Sequence, residues 1–433
     1  MIRMSATLIR GVFLIALFAL LFLSQRYWYR AVSRLVGHIR QRVPRIALRT
    51  AVLVLVLTSI GAAAYWMVQA QRAGSIRAAF AMPLFGLWLF ASLAAYLGIL
   101  AVQTVEWLWT MLRRRTRTNP ALASAPEEEQ AEPARDALSD PSRRYFFQTA
   151  GYFAGAVPFV GGLYGFLVGR LRYRLERVEI PIPGLPEALD GLRIAQLSDI
   201  HIGAYMPREQ VRRAVEMANE LGADLAVVTG DFITGARDPL GACVEEIARL
   251  KAPLGVWGCL GNHEVYANCE DEATRLLGEA GVHVLRSKNA PVLFRGAPIN
   301  LIGVDYQRSR AMTGKRIEML AGVGPIVRRD AFNILLSHNP NAFDRAAELG
   351  VELTLAGHTH GGQVQVEILE RHLSPALFMT EFVAGLYRRP LLRDPLSSLA
   401  TSFLYVNRGL GTIGAPIRFN SPPEITLLTL RRA

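Results

Sequence analysis

The sequence predicts a chain in two parts, a bundle of membrane-spanning helices followed by a layered α/β domain. Three observations point there: long charge-free windows within the first 170 residues, short apolar runs alternating with helical patterns from residue 178 onward, and a charge imbalance confined to the first part. At 433 residues the chain exceeds one ordinary domain. Hydrophobic residues make up 51% and charged residues 19%, against roughly 25% charged in soluble chains; with a mean hydropathy of +0.22, this excludes wholesale disorder and argues against a wholly soluble protein. A net charge of +12 would ordinarily raise nucleic acid as a partner. Residues 1–177, however, hold 22 arginines against 8 acidic residues, a net of +14, and residues 178–433 carry a net of −2. No nucleic-acid partner is therefore expected. Cys243, Cys259 and Cys269 are odd in number and lack CxxC spacing, which supports neither a disulfide framework nor a zinc knuckle.

A spanning helix needs about 20 apolar residues to cross about 30 Å of hydrocarbon. Within residues 1–112, three segments meet that need, at about 6–25, 50–71 and 80–105. A fourth uncharged stretch, 145–169, is richer in glycine and contains Pro158. Arg26, Arg30, Arg34, Arg40, Arg42 and Arg45 crowd the first connection, whereas the second carries only Arg72 and Arg77. The positive-inside rule places the first connection in the cytoplasm. Residues 113–144 begin with four arginines and continue as an Ala/Pro/Glu-rich run without periodicity, expected to be a disordered cytoplasmic linker.

That run ends in Ser142-Arg143-Arg144-Tyr145-Phe146-Phe147. It resembles a twin-arginine export signal, although an internal one; otherwise the stretch is a simple signal anchor. With four crossings, the C-terminal part lies outside the cytoplasm, in a multi-pass inner-membrane protein. Arg170, Arg172, Arg174 and Arg177 argue the other way.

From residue 178 the pattern predicts strands at 192–197, 224–229, 255–260, 334–337 and 353–356, and helices at 208–221, 243–250, 271–280 and 342–349. Polar clusters stand where the strands end, the edge at which open α/β sheets bind ligands. They are Asp199-Ile200-His201, Gly230-Asp231, Gly261-Asn262-His263-Glu264, His338, and Gly357-His358-Thr359-His360. Alternation puts Asp199 with His201, and His358 with His360, on one side of extended backbone. An aspartate can bridge two cations while imidazoles and an amide oxygen complete their spheres without excess charge.

These blocks, in this order, resemble the calcineurin-like metallophosphoesterase superfamily. The ending Asn407-Arg408-Gly409-Leu410-Gly411 … Pro416-Ile417-Arg418 … Pro423-Glu424-Ile425 is similar to its membrane-anchored or exported cell-envelope branch. The resemblance implies a layered β-sandwich flanked by helices across 178–433. It implies two divalent ions, for which Mn, Fe and Zn all suit the ligands. One would be held by Asp199, His201, Asp231 and His360, the other by Asp231, Asn262, His338 and His358. It places His263 as the active-site histidine beside the leaving group. Relatives often carry an acid three residues after the bridging aspartate, where this chain has Thr234, and often Asp where it has Glu264; the orientation of His263 is left open. Arg408 and Arg418 are candidate phosphate clamps. His283 and His372 lie outside every block, and Cys259 reads as a small buried hydrophobe.

Such a site activates water for attack on a phosphate ester, with His263 stabilising charge or donating a proton to the leaving oxygen. The expected function is hydrolysis of a phosphodiester or pyrophosphate of the envelope or of a lipid-linked substrate, by a protein whose partner is the lipid bilayer. The alternatives are a cytoplasmic-face UDP-diacylglucosamine-type pyrophosphohydrolase of lipid A synthesis and a non-catalytic membrane scaffold.

Overall fold

The computed structural model describes residues 6–71, 82–117, 141–307, 317–368, 371–378, 380–391 and 401–433. The chain divides into two compact units, Met1–Ala64 with Phe85–Leu163, and Tyr65–Leu84 with Tyr164–Ala433.

Four long helices supply most of the first unit, α1 (Ala6–Gly37), α2 (Arg42–Gln71), α3 (Met82–Arg117) and α4 (Pro141–Leu167), with the last residues of α2 and α4 and the first of α3 counted in the second. Apolar runs of this length become helices because hydrocarbon offers backbone groups no outside hydrogen-bond partner. Among the described residues, three segments are long and apolar enough to cross a membrane: Arg42–Gly61, Gly86–Leu112 and Ser142–Leu171. The first expected span lies in α1, part of whose side chains fall outside the described residues. A polar cluster joins α1 to α3: Gln25 Nε2 donates to Ser92 Oγ (2.9 Å), Trp88 Nε1 to Gln25 Oε1 (2.8 Å) and Trp28 Nε1 to the Ser92 carbonyl (2.8 Å). Such bonds link helices where burial alone gives no driving force.

The stretch expected to be a disordered linker is helical at both ends. Helix α3 continues through Arg117, since arginine is a good helix former, and α4 opens on Pro141, suited to a first helical position. Its middle, residues 118–140, lies outside the described residues.

The second unit begins with β1 (Arg174–Ile182), β2 (Arg193–Leu197), α5 (Arg208–Glu220), β3 (Leu225–Thr229), α6 (Leu240–Ile247), β4 (Val256–Cys259), α7 (Asn262–Ala267), α8 (Glu270–Glu279) and β5 (Val282–Val284). It continues with β6 (Lys288–Phe294), β7 (Ala297–Gly303), β8 (Phe332–Leu336), α9 (Phe343–Leu349), β9 (Leu353–Ala356), β10 (Val366–Ile368), β11 (Arg371–Leu373), β12 (Gly385–Pro390), β13 (Thr401–Val406) and β14 (Glu424–Arg432). Five strands and four helices fall at or within a few residues of their expected places; the short α7 and the remaining strands were not expected from the sequence. One six-stranded sheet has the order β1-β14-β2-β3-β4-β5, the other β12-β13-β9-β8-β7-β6, and β10 pairs with β11 apart from both. The centres, β2-β3-β4-β5 and β7-β8-β9-β13, are parallel.

The period-2 alternation of each strand fills two layers at once. Ile194 and Val227 of the first sheet share a buried layer with Ile334, Leu336, Leu353 and Leu355 of the second. Ala195, Leu197, Ala226 and Val228 turn to the other face and pack with Val211, Val215 and Ile247 of α5 and α6. Strands buried on both faces read as continuous apolar runs, which is why these were legible. Truncating a leucine in such a layer costs about 2–5 kcal/mol.

Candidate metal centre

Every predicted ligand leaves the carboxyl end of a parallel strand. Asp199 and His201 follow β2, Asp231 follows β3, Asn262 follows β4, His338 follows β8, and His358 and His360 follow β9. Five of the seven have left-handed backbone: Asp199 (φ 48°), His201 (49°), Asp231 (54°), His358 (75°) and His360 (53°). That conformation costs non-glycine residues of order 1–3 kcal/mol each and persists only where surrounding bonds impose it. Here they do. The Asp199 carboxylate accepts the His358 N–H (3.0 and 3.1 Å), and Asp231 Oδ1 accepts the His263 N–H (2.9 Å). The block glycines let the loops touch: a Cβ on Gly261 would overlap Asp231, and one on Gly357 would overlap Ser198 and Asp199.

The side chains converge in two groups that share one residue. Asp199, His201, Asp231 and His360 bring ligand atoms within 4.8 Å of one another, and so do Asp231, His338 and His358. His201 Nε2 faces His360 Nε2 at 3.2 Å, and His358 Nδ1 faces His338 Nε2 at 3.2 Å. Asp231 Oδ2 lies 3.1 Å from His338 Nε2 and 3.6 Å from His201 Nε2. Asn262 Oδ1 is buried and has no hydrogen-bond partner. A buried amide oxygen without a partner costs free energy that a cation would recover. The donor set therefore fits two divalent ions: carboxylates and imidazoles converge in two groups sharing Asp231, and the predicted Asn262 oxygen is among the buried acceptors left without a partner.

Electrostatics divide the four histidines: against its burial, the Asp231 and Asp199 charges raise His338 to about 10, whereas the other three are lowered. Burial, with the His263 imidazole second, holds His201 down at about 3, and burial with His338 holds His358 there too. Burial and His201 carry His360 well below the ordinary histidine range. All three are neutral near pH 7, the form in which imidazole binds a cation. Burial raises Asp199 and Glu264, with the Asp231 charge adding to both. For Asp231 itself, burial is outweighed by His338, His263 and His201, which hold its carboxyl well below the usual range. Three acids thus compete in one dry space for the positive charge that bound cations supply.

The orientation of His263, open from sequence, is set by backbone: its Nδ1 lies 2.7 Å from the Thr234 carbonyl oxygen. The Thr234 hydroxyl lies 3.1 Å from His201 Nδ1, so one residue steadies two histidines. Glu264 is a clamp. Its carboxylate accepts the N–H groups of Gly261 (2.7 Å), Asp231 (3.1 Å) and Phe232 (2.8 Å), locking two loops together. Tyr306, just after β7, places its ring 5.5 Å from that of His358 and 6.1 Å from that of His338. It escaped the sequence reading although Ile299–Val304 is an apolar run ending at polar residues, the same signal that marks the other loops.

The two arginines expected as phosphate clamps are otherwise engaged. Arg408 forms ion pairs with Glu176 (2.5 Å) and Glu424 (2.7 Å). Arg418 is 1% exposed and donates to backbone carbonyls. Forked donors that looked available are thus already occupied, Arg408 by carboxylates and Arg418 by the carbonyls of its own loop and of His360. His283 stacks on Trp257, with ring centroids 4.5 Å apart, and Cys259 is buried.

Residues 192–362 match the family model "Calcineurin-like phosphoesterase", and residues 9–170 match "Probable Calcineurin-like phosphoesterase, transmembrane domain". The chain is 32% identical over 286 residues to a "Transmembrane protein with metallophosphoesterase domain" of Danio rerio, covering 63% of this chain and 60% of that one. It is 29% identical over 304 residues to the "Uncharacterized metallophosphoesterase YkuE" of Bacillus subtilis, covering 67% and 98%. It is 27% identical over 300 residues to the "UDP-2,3-diacylglucosamine pyrophosphatase LpxG" of Chlamydia muridarum, covering 59% and 88%. The match thus spans three fifths of the Danio rerio relative's length. The two matches show that this chain carries a calcineurin-like phosphoesterase domain, within which the buried histidines and aspartates converge, preceded by a transmembrane phosphoesterase domain.

Proposed function

We propose that the protein is a membrane-held, metal-dependent phosphoester hydrolase acting on a phosphodiester or pyrophosphate of a lipid-linked or envelope substrate. The carrying observation is the pair of buried ligand groups sharing Asp231, completed by the unpartnered Asn262 oxygen. Asp199, His201, Asp231 and His360 would hold one cation, and Asp231, Asn262, His338 and His358 the other. When bound, such ions supply Lewis acidity toward a phosphoryl oxygen and lower the pKa of water. The chain's residues do the rest. His338 Nδ1 is anchored by the Thr229 carbonyl oxygen (2.6 Å), which fixes its tautomer and leaves Nε2 for the cation. His263, with Nδ1 held by the Thr234 carbonyl oxygen, keeps Nε2 for proton transfer to the departing ester oxygen. Hydrolysis of bis-p-nitrophenyl phosphate by the full-length protein in detergent should require Mn²⁺ and vanish after chelation. Equal rates with and without metal would overturn the reading.

The resemblance to LpxG supports a second reading, hydrolysis of a lipid-linked nucleotide sugar at the cytoplasmic face. Release of a nucleoside monophosphate from such a substrate, with none from other pyrophosphates, would select it.

A further inference from the structure

Arg418 is among the largest fully buried side chains in the protein, and its guanidinium bonds to carbonyl oxygens rather than to a carboxylate. Nη2 donates to Arg408 (2.8 Å), Gly409 (3.0 Å) and Gly411 (2.5 Å), Nε to Gly411 (3.1 Å), and Nη1 to Ser421 (3.2 Å) and His360 (3.4 Å). Nη2 also lies 3.5 Å from His360 Nδ1. A buried charge is costly even when hydrogen-bonded, so the geometry it imposes has to offset that cost.

The carbonyls it gathers belong to the backing of one ligand group. Residues 409–411 lie directly behind Asp199 and His201: Leu410 N donates to the Ser198 oxygen (3.0 Å) and Gly411 N to the Asp199 oxygen (2.7 Å). A Cβ on Gly409 would stand 2.5 Å from Asp199 Cβ, and one on Gly411 2.8 Å from His201 Cβ, so the loop touches both ligands. His360, the third ligand, is held directly. On its other side Arg418 meets the last turn of α4 and the turn that follows it: its N–H donates to the Gly165 oxygen (3.2 Å), and a Cβ on Gly169, just past α4, would overlap its carbonyl.

We propose that Arg418 is a positioning residue for the Asp199–His201–His360 cation site, and that it seats this site on the end of α4. The proposal rests on the metal-binding part of the function above, not on the substrate. It requires selectivity, because none of Arg418's hydrogen bonds reaches Asn262, His338 or His358, the residues assigned to the second cation alone.

The test is titration of Mn²⁺ into metal-stripped full-length protein in detergent, read by equilibrium dialysis and by the melting midpoint. Wild type should bind two ions. Arg418→Met should keep one near wild-type affinity and weaken the other roughly 10- to 100-fold, the usual effect of losing a ligand's outer support. Arg418→Lys, a point charge without the fork, should fall between. Gly169→Ala, which displaces the Arg418 carbonyl without altering its side chain, should weaken the same ion and covers the case in which Arg418→Met fails to fold. Two ions weakened equally, or neither, would overturn the positioning role. Unchanged affinity in Gly169→Ala alone would overturn the link to the end of α4 and the turn that follows it. Selective loss of one ion in a protein that hydrolyses no phosphoester would sustain the proposal while refuting the function.

Discussion

Asp231 faces both ligand groups from one carboxylate, whose other oxygen is tied to the backbone of His263. Asp231→Asn should abolish hydrolysis and lower metal content below that of any variant in a single-site ligand; equal metal content in variant and wild type, by elemental analysis, would refute the bridge. His263 differs in kind, for its ring nitrogen Nδ1 is bonded to a carbonyl oxygen and its ring stands edge-on to His201, with centroids 4.7 Å apart. His263→Ala should retain two metals while turnover falls about 10²- to 10⁴-fold, the scale of a lost proton donor. Loss of metal in that variant would make His263 a ligand.

Helices α5 and α6 are joined by Glu246, whose side chain is buried while receiving Arg208, Arg212 and Arg249. The hydrogen bond from Arg212, reinforced against burial by that from Arg208, holds its carboxyl down at about 2. An unfolded glutamate titrates near about 4.3. The folded value is depressed, so the unfolded state binds the proton first on acidification; the stabilisation is complete above about pH 5 and is lost as the pH falls through about 2. Glu246→Gln should lower the melting midpoint at pH 7 by about 2–8 °C, the scale of a lost charge-assisted bond. The gap from wild type should narrow steadily below about pH 4. A gap that is constant down to pH 2.5 would show that packing, not charge, is what the substitution removes.

For the whole molecule, the side of the membrane decides between the two substrate readings. Of the arginines from Arg170 to Arg177, which argue for a cytoplasmic domain, Arg170 donates to the Phe166 and Tyr205 carbonyls, whereas Arg172, Arg174 and Arg177 are exposed. The expectation from the arginine-rich first connection is still an extracytoplasmic catalytic domain, with that connection inside. Protease added to intact spheroplasts should then digest residues 178–433. Protection until lysis would reverse the topology and favour the lipid-linked nucleotide sugar.

By itself the sequence determined the two-part build, the parallel strands and the residue types at their ends, because hydropathy, strand alternation and helical period are properties of neighbouring residues. β3 is apolar up to its final Thr229 since it is buried on both faces, and Asp231 follows it whatever the distant chain does. The tertiary structure decided what each polar group meets. Arg408 and Arg418 carry the same guanidinium as a phosphate clamp, and only the folded chain gives Arg408 its Glu176 and Glu424 and turns the carbonyls of residues 408, 409, 411 and 421 onto Arg418. Thr234 replaces an acid in the pattern, yet its carbonyl orients His263, a function that a main-chain oxygen performs without any side-chain signature. Whether the partners are 232 residues apart, as Arg408 and Glu176, or 9 apart, as Arg418 and Gly409, a hydrogen bond between loops leaves no local period to read and exists only once the chain has folded.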